Sequence, residues 1–228
     1  MDRALWAVVP VKDLADAKQR LAGLLAPGER QALFRAMLED VLSALALSRG
    51  LAGILVVTRD TEAKRLARRY DARVLVERAN RGHTAASSLG AHTLTREGAA
   101  GMVQLPADIP LVTPEDIDAL LAAHREAPAV TIAPSHDDRG SNAVACSPPD
   151  ALPLRFGDDS FFPHVERARA LGIEPRIVRR PGLALDVDTP ADLAALLAAP
   201  AKTRAHACLA EIGVAGRLQR AGPKPAQP

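Results

Sequence analysis

The chain has 228 residues, 29 of them Lys or Arg and 27 Asp or Glu, giving a formal net charge of +2 with six neutral histidines. Hydrophobic residues make up 48% and charged residues 25%, a composition suited to a globular chain that buries roughly 70–75% of its unfolded surface without disulfide or metal staples. The balanced charge lacks the basic excess of a nucleic-acid binder, and 3% aromatics leave few platforms for stacking bases, so no nucleic-acid partner is expected.

Strands and helices alternate along the chain. Leu5 to Pro10 reads as a buried strand. Asp16 to Leu25 is expected as a short helix closed by Ala26-Pro27-Gly28, and Glu29 to Ser48 as a long one, with Leu33, Met37, Leu38, Val41 and Leu45 at helical spacing. Gly53 to Thr58 is a strand, Thr61 to Tyr70 a basic helix, Ala72 to Glu77 a third strand and Thr84 to Thr95 a helix. Strand Gly101 to Leu105, helix Pro114 to His124 and strand Ala129 to Ala133 follow. Beyond Pro134 come strand Asn142 to Cys146, helix Ser160 to Leu171 and short strands Arg176 to Val178 and Leu183 to Asp188. Thr189-Pro190-Ala191-Asp192 opens a helix with a Thr cap, Pro in the first position and an acid in the first turn.

Continuously apolar strands separated by helices indicate an α/β fold: a mostly parallel, open sheet sandwiched by helices. One domain is expected over 1–199. Residues 200–228 form an extension, with one helix over 203–220 and a disordered tail over 221–228. The apolar stretches, such as Leu193 to Ala201, are far shorter than the ~18–20 residues of a membrane span. Ala4 to Val11 lacks the cationic leader of a signal peptide. Cys146 and Cys208 make neither a disulfide framework nor a zinc site, and read as reduced thiols in a cytoplasmic protein.

An open parallel sheet binds ligands beyond the carboxyl ends of its strands. Lys12 follows the first strand, with Lys18 and Arg20 at the next helix; the three cations suit a polyphosphate, although Lys18 and Arg20 could equally be a solvated helix face. Asp108, in LPADIPL, is a carboxylate among apolar residues at a strand end, costly unless paired; a turn Asp between prolines is the plainer reading. Asp186 and Asp188 lie two apart in an extended segment, roughly 7 Å from each other on one face. Two such charges repel by about 2–3 kcal/mol, which a divalent cation such as Mg²⁺ would offset. A helix start at Thr189 accounts for Asp188 but leaves Asp186 unexplained. Ser141 in RGSNA, and Gly157 and Ser160 in FGDDSF, offer N–H groups and hydroxyls to a carboxylate, while Ser160 also fits a plain helix cap. Gly82 and Thr84 precede a helix and could cap it or bind an anion. The six histidines show no metal-ligand spacing.

Taken together, VPVKDLADAKQRL, LPADIPL, RGSNA, FGDDSF and PGLALDVDTPADL resemble the 2-phospho-L-lactate guanylyltransferase family of coenzyme F-420 biosynthesis, from about Leu5 to Leu197. The resemblance implies a nucleotidyltransferase fold of the glycosyltransferase-A type, a Rossmann-like variant. It also implies transfer of GMP from GTP to 2-phospholactate, phosphoenolpyruvate or 3-phosphoglycerate, and a homodimer. By the same resemblance Asp108, Asp186 and Asp188 match metal ligands for one or two Mg²⁺. Lys12, Lys18 and Arg20 match phosphate-facing cations, and Ser141, Gly157 and Ser160 match positions holding the acceptor carboxylate. The sequence departs from the family at Thr84, where relatives often have Asn, and at Ser141, where many have Thr. Other acceptors or bases on the same fold, or nucleotide binding without catalysis, are the alternative functions.

Overall fold

The computed structural model describes residues 4–79 and 81–221. Strand β1 (Leu5–Pro10) opens the chain, and helix α1 (Pro27–Leu47) follows after two 3₁₀ turns, Leu14–Asp16 and Gln19–Leu21. Then come β2 (Leu51–Val57), α2 (Thr61–Arg69), β3 (Arg73–Leu75), α3 (His83–Arg96), β4 (Met102–Gln104) and α4 (Pro114–Ala123). The second half contains β5 (Ala129–Pro134), β6 (Ser141–Ser147), α5 (Phe161–Ala170), β7 (Arg176–Ile177), α6 (Pro181–Ala184), α7 (Pro190–Ala198), α8 (Arg204–Ile212) and α9 (Val214–Ala221).

The seven strands form one sheet in the order β3-β2-β1-β4-β6-β5-β7. Every neighbouring pair is parallel except those of β6, which runs antiparallel to β4 and β5. Alternate residues of each strand enter two cores. Ala7, Val9, Ile54, Val56 and Val103 pack with α1, α4, α7 and α8, whereas Val8, Leu55, Met102 and Val144 pack with α3 and α5. Coverage of both faces is why the strands lack polar alternation. Among the described residues no helix is long and apolar enough to cross a membrane.

Three segments differ from the sequence expectation. Asp16 to Leu25 is not a helix: Ala17 is extended and Lys18 adopts the left-handed conformation (φ 55°, ψ 41°), so the chain breaks phase between the two 3₁₀ turns. Leu183 to Asp188 is not a strand. It begins inside α6 and continues as extended chain with no ladder partner, although Leu183, Leu185 and Val187 stay buried and alternate with half-buried 184, 186 and 188. This segment is seated on the start of α4. Asp116, which caps α4 with Thr113, accepts from Arg180 Nε at 2.8 Å. Gly182 lies so close that a Cβ there would meet Asp116 Oδ2 at 2.0 Å. Finally, the expected helix over 203–220 is two helices, because Gly213 (φ 71°) ends α8 in a left-handed turn. Of the tail placed at 221–228, residues 222–228 lie outside the described residues.

The segment after Pro200 shares the α1 core. Ala205, Leu209 and Val214 are buried there, and Asp40 of α1 accepts the backbone N–H groups of Arg204 and Ala205, both at 2.9 Å. Glu29, in the first turn of α1, accepts the Ala26 N–H at 2.8 Å and pairs through both oxygens with Arg217 of α9 at 2.7 Å. The Arg217 hydrogen bonds, then the Ala26 N–H, pull the Glu29 pKa down to about 2. A depressed carboxylate pKa stabilises the fold above its ordinary value and ceases to do so as pH falls through the folded value. Glu29→Gln is therefore expected to lower the midpoint of denaturant unfolding at pH 7. The wild-type and variant midpoints should converge between pH 4.5 and about 2.

Candidate active site

The carboxyl ends of β1 and β4 open on one cleft of about 1080 Å³. Because β6 runs the opposite way, its first residues, Ser141 and Asn142, reach the same edge. The 185–188 segment joins them through a backbone bond from Val187 N–H to the Asp108 carbonyl at 3.0 Å. The Asp188 and Thr189 N–H groups both bond Asp192 Oδ2, which fixes Asp188 at the start of α7. Asp60, the cap of α2, accepts the Leu14 N–H at 3.0 Å and anchors the loop that carries Lys18.

Asp108, Asp186 and Asp188 meet at the cleft floor. Lys18 Nζ lies 2.5 Å from Asp108 Oδ2 and 2.8 Å from Asp188 Oδ1, and the lysine side chain is almost fully buried. Burial works to lower the Lys18 pKa, but Asp108 and Asp188 outweigh it and the net shift is upward, so the ammonium stays charged. For Asp188, burial pushes upward, and Lys18 and then Arg20 bring the net shift below the ordinary carboxylate value. Asp186 goes the other way. Burial first, then the Asp108 charge, raises its pKa, while Asn142 Nδ2 at 3.2 Å supplies only a neutral donor. Asp108 Oδ1 is buried with no hydrogen-bond partner among the described residues.

The orphaned Asp108 oxygen and the uncompensated Asp186 carboxylate are hard oxygen donors of the kind a divalent cation takes. As they stand, no three His, Cys, Asp or Glu side chains among the described residues are spaced to close on one ion. The Lys18 ammonium sits between two of the three.

The three cations singled out in the sequence are separated. Lys12 is exposed on the cleft and close enough to bear on His83 and Asp188 electrostatically. Arg20 is exposed, 3.1 Å from Asp158 and 3.8 Å from Asp188, and so spans the cleft mouth to the 156–160 loop. Lys18 belongs to neither arrangement, because its charge is engaged with carboxylates rather than turned to the open cleft. The left-handed turn, not a helix, puts Lys18 and Arg20 on opposite courses.

On the far wall, the Ser141 N–H donates to Ser160 Oγ at 2.9 Å, so the Ser160 hydroxyl does not cap α5 although the residue sits at the cap position. Gly157 lies on the cleft with open space where a side chain would project. Gly82 caps α3 with φ 93°, a conformation that favours glycine. Thr84, on the cleft, accepts the Phe156 N–H through Oγ1 at 2.9 Å and donates to the Phe156 carbonyl at 3.3 Å, so its hydroxyl fastens the 156–160 loop.

Sequence reasoning missed two imidazoles. His83 lines the cleft, bonded to Gln104 at 2.9 Å, and burial holds its pKa near about 4. His164, wholly buried, meets Ser141. Phe156 packs edge-on between the two rings, at 4.7 and 5.1 Å. Neither histidine has ligand spacing, and no pattern in the sequence marks them.

The architecture is that of the nucleotidyltransferases. A solved structure from Desulfovibrio desulfuricans G20, provisionally described as a nucleotide-diphospho-sugar transferase, superposes with a TM-score of 0.76 at 18% identity, covering 96% of this chain and 98% of its own. Sequence similarity narrows the class. The family described as "Guanylyl transferase CofC like" matches residues 5–224, and the chain belongs to it. The chain is 40% identical to a phosphoenolpyruvate guanylyltransferase of Conexibacter woesei, over 96% of this chain and 98% of the relative. It is 34% identical to a 3-phospho-D-glycerate guanylyltransferase of Colwellia psychrerythraea (85% and 92% covered). To a 2-phospho-L-lactate guanylyltransferase of Methanothermobacter thermautotrophicus it is 35% identical (84% and 83% covered).

Removing the Lys18 charge leaves Asp108 and Asp188 facing each other, with only the exposed Lys12 and Arg20 to compensate Asp188. Lys18→Met is expected to lower metal-free stability by no more than about 3 kcal/mol, because solvent screens Asp188. Millimolar Mg²⁺ should restore part of the loss in thermal unfolding; an unchanged melting temperature without metal would show that the ammonium carries no such role.

Proposed function

We propose that the protein is a guanylyltransferase that transfers GMP from GTP to a small phosphorylated carboxylic acid, with phosphoenolpyruvate the favoured acceptor, and serves coenzyme F-420 biosynthesis. The observation that supports it is the pair Asp108 and Asp188 bridged by one buried ammonium, with Asp186 beside them and one Asp108 oxygen left uncompensated at the floor of a cation-rimmed cleft. Family membership supports the guanylyl group. The phosphoenolpyruvate assignment leans on 40% identity to the relative of that name, against 34% and 35% for the relatives named for the other two acids.

In this reading Lys12 and Arg20 draw the triphosphate to the cleft mouth, where their charges offset the mutual repulsion of the two substrates. Ser141, Ser160 and the Gly157 N–H receive the acceptor carboxylate, which aims its phosphate at the aspartate floor. An oxygen of that phosphate forms a bond to the α-phosphorus of GTP as the α–β bridging bond breaks, and pyrophosphate leaves with the electron pair. The nucleophile is already an anion at pH 7, so no general base is required. Asp108, Asp186 and Asp188 would hold Mg²⁺, which when bound supplies positive charge to the reacting phosphates. Lys18 holds Asp108 and Asp188 in place, and positioning of two anions does most of the catalysis.

Incubation with GTP, Mg²⁺ and a mixture of the three acids should give the guanylylated phosphoenolpyruvate as the main product by mass spectrometry, with stoichiometric pyrophosphate. Asp186→Ala and Asp188→Ala should each lower turnover about a hundredfold or more while circular dichroism stays unchanged. Near-normal turnover in either variant would refute the metal-binding role.

A further inference from the structure

The acceptor side of the cleft contains a buried imidazole that the proposed reaction does not use. His164 sits in the first turn of α5, and its two ring nitrogens meet different partners. The Arg155 backbone N–H reaches Nε2 at 3.0 Å, and Nδ1 lies 3.0 Å from Ser141 Oγ. A backbone N–H can only donate, so Nε2 is the accepting, unprotonated nitrogen. The ring proton then resides on Nδ1 and is donated to Ser141 Oγ. Burial, and next the charge of Arg167, lower the His164 pKa to about 4, so the ring is neutral at pH 7.

A serine hydroxyl can donate or accept. Ser141 Oγ already accepts from His164 and lines the cleft, so what it offers a ligand is its own proton. Ser160 Oγ likewise accepts the Ser141 N–H and also lines the cleft. With one lone pair of each engaged, the two hydroxyls present their protons to the cleft, a polarity that suits an anionic oxygen and disfavours a group that can only donate.

We propose that His164 is a positioning residue for acceptor specificity, which by donating from Nδ1 to Ser141 Oγ commits that hydroxyl to donate to the acceptor's carboxylate. The ligand's identity rests on the guanylyltransferase reading; the tautomer does not. His164 also has a structural task, since it anchors Arg155 and packs against Phe156. Two variants separate the tasks. His164→Gln can keep an acceptor oxygen near the Arg155 N–H while losing the donor to Ser141. His164→Asn can keep a donor near Ser141 while losing the Arg155 anchor.

His164→Gln is expected to raise the acceptor KM about tenfold, with the GTP KM within about twofold of wild type. His164→Asn should bring the acceptor KM back to within about threefold of wild type, and His164→Gln should add less than about twofold in a Ser141→Ala background. Equal effects of Gln and Asn, a parallel rise in the GTP KM, or full additivity with Ser141→Ala would overturn the proposal. Nitrogen NMR of substrate-free wild-type protein at pH 7 tests it without any variant. A protonated Nδ1 and bare Nε2 are expected; a protonated Nε2 or an imidazolium would overturn the role of His164 and leave the guanylyltransferase reading intact. Wild-type protein that turned over none of the three acids, with the expected tautomer present, would instead overturn that reading and the acceptor assignment with it.

Discussion

Three carboxylates cannot share the floor of a half-buried cleft without positive charge, and the chain supplies part of that charge itself through Lys18. Its ammonium binds Asp108 and Asp188 at once and joins three distant stretches of sequence. The backbone there is left-handed, a conformation that costs a non-glycine residue about 1 kcal/mol and that the two ion pairs outweigh. What remains is an imbalance. Asp186 has a neutral amide as its partner, and one Asp108 oxygen has none among the described residues. Under the proposed function, a divalent cation accompanying the polyanionic substrates would meet that imbalance.

The sheet explains why these groups meet. Parallel strands deliver their carboxyl ends to one edge, and the reversed β6 adds its amino end to the same edge. One wall of the cleft is therefore a strand start, where Ser141 pairs with Pro134 across a register shift that leaves Asn142 out of the ladder, and the other is loop. The loop over 155–157 is held by Thr84, His164 and the rings on either side of Phe156, so the starts of α3 and α5 are joined through one phenylalanine.

Much of this was legible in the residues. Apolar runs at strand length gave the seven-stranded order its parts, because burial on both faces removes polar residues from a strand. The Thr189-Pro190-Asp192 helix start follows from local capping chemistry and appears as expected. The aspartates stood out because unpaired charge among apolar neighbours is costly wherever it folds. Less legible were segments whose conformation depends on distant partners. The stretch 183–188 has the alternation of a strand, but α4 holds its beginning as a helical turn through Arg180 and the close approach of Gly182. Thr84 and Ser160 carry the right groups for an anion or a cap, yet each hydroxyl oxygen accepts a backbone N–H from a residue distant in sequence, Phe156 and Ser141, which local patterns do not reveal.

By itself the sequence determined which apolar residues are buried, where most elements begin and end, and which acidic and basic groups demand an explanation, since these follow from local propensity and the cost of desolvation. Only the tertiary structure decided which cation meets which carboxylate, that Lys18 turns inward while Lys12 and Arg20 remain at the surface, and that His164 and Ser141 touch. Hydrogen-bond polarity and ion pairing fall off within a few ångströms, and distances that short between residues far apart in the chain exist only once the sheet has formed.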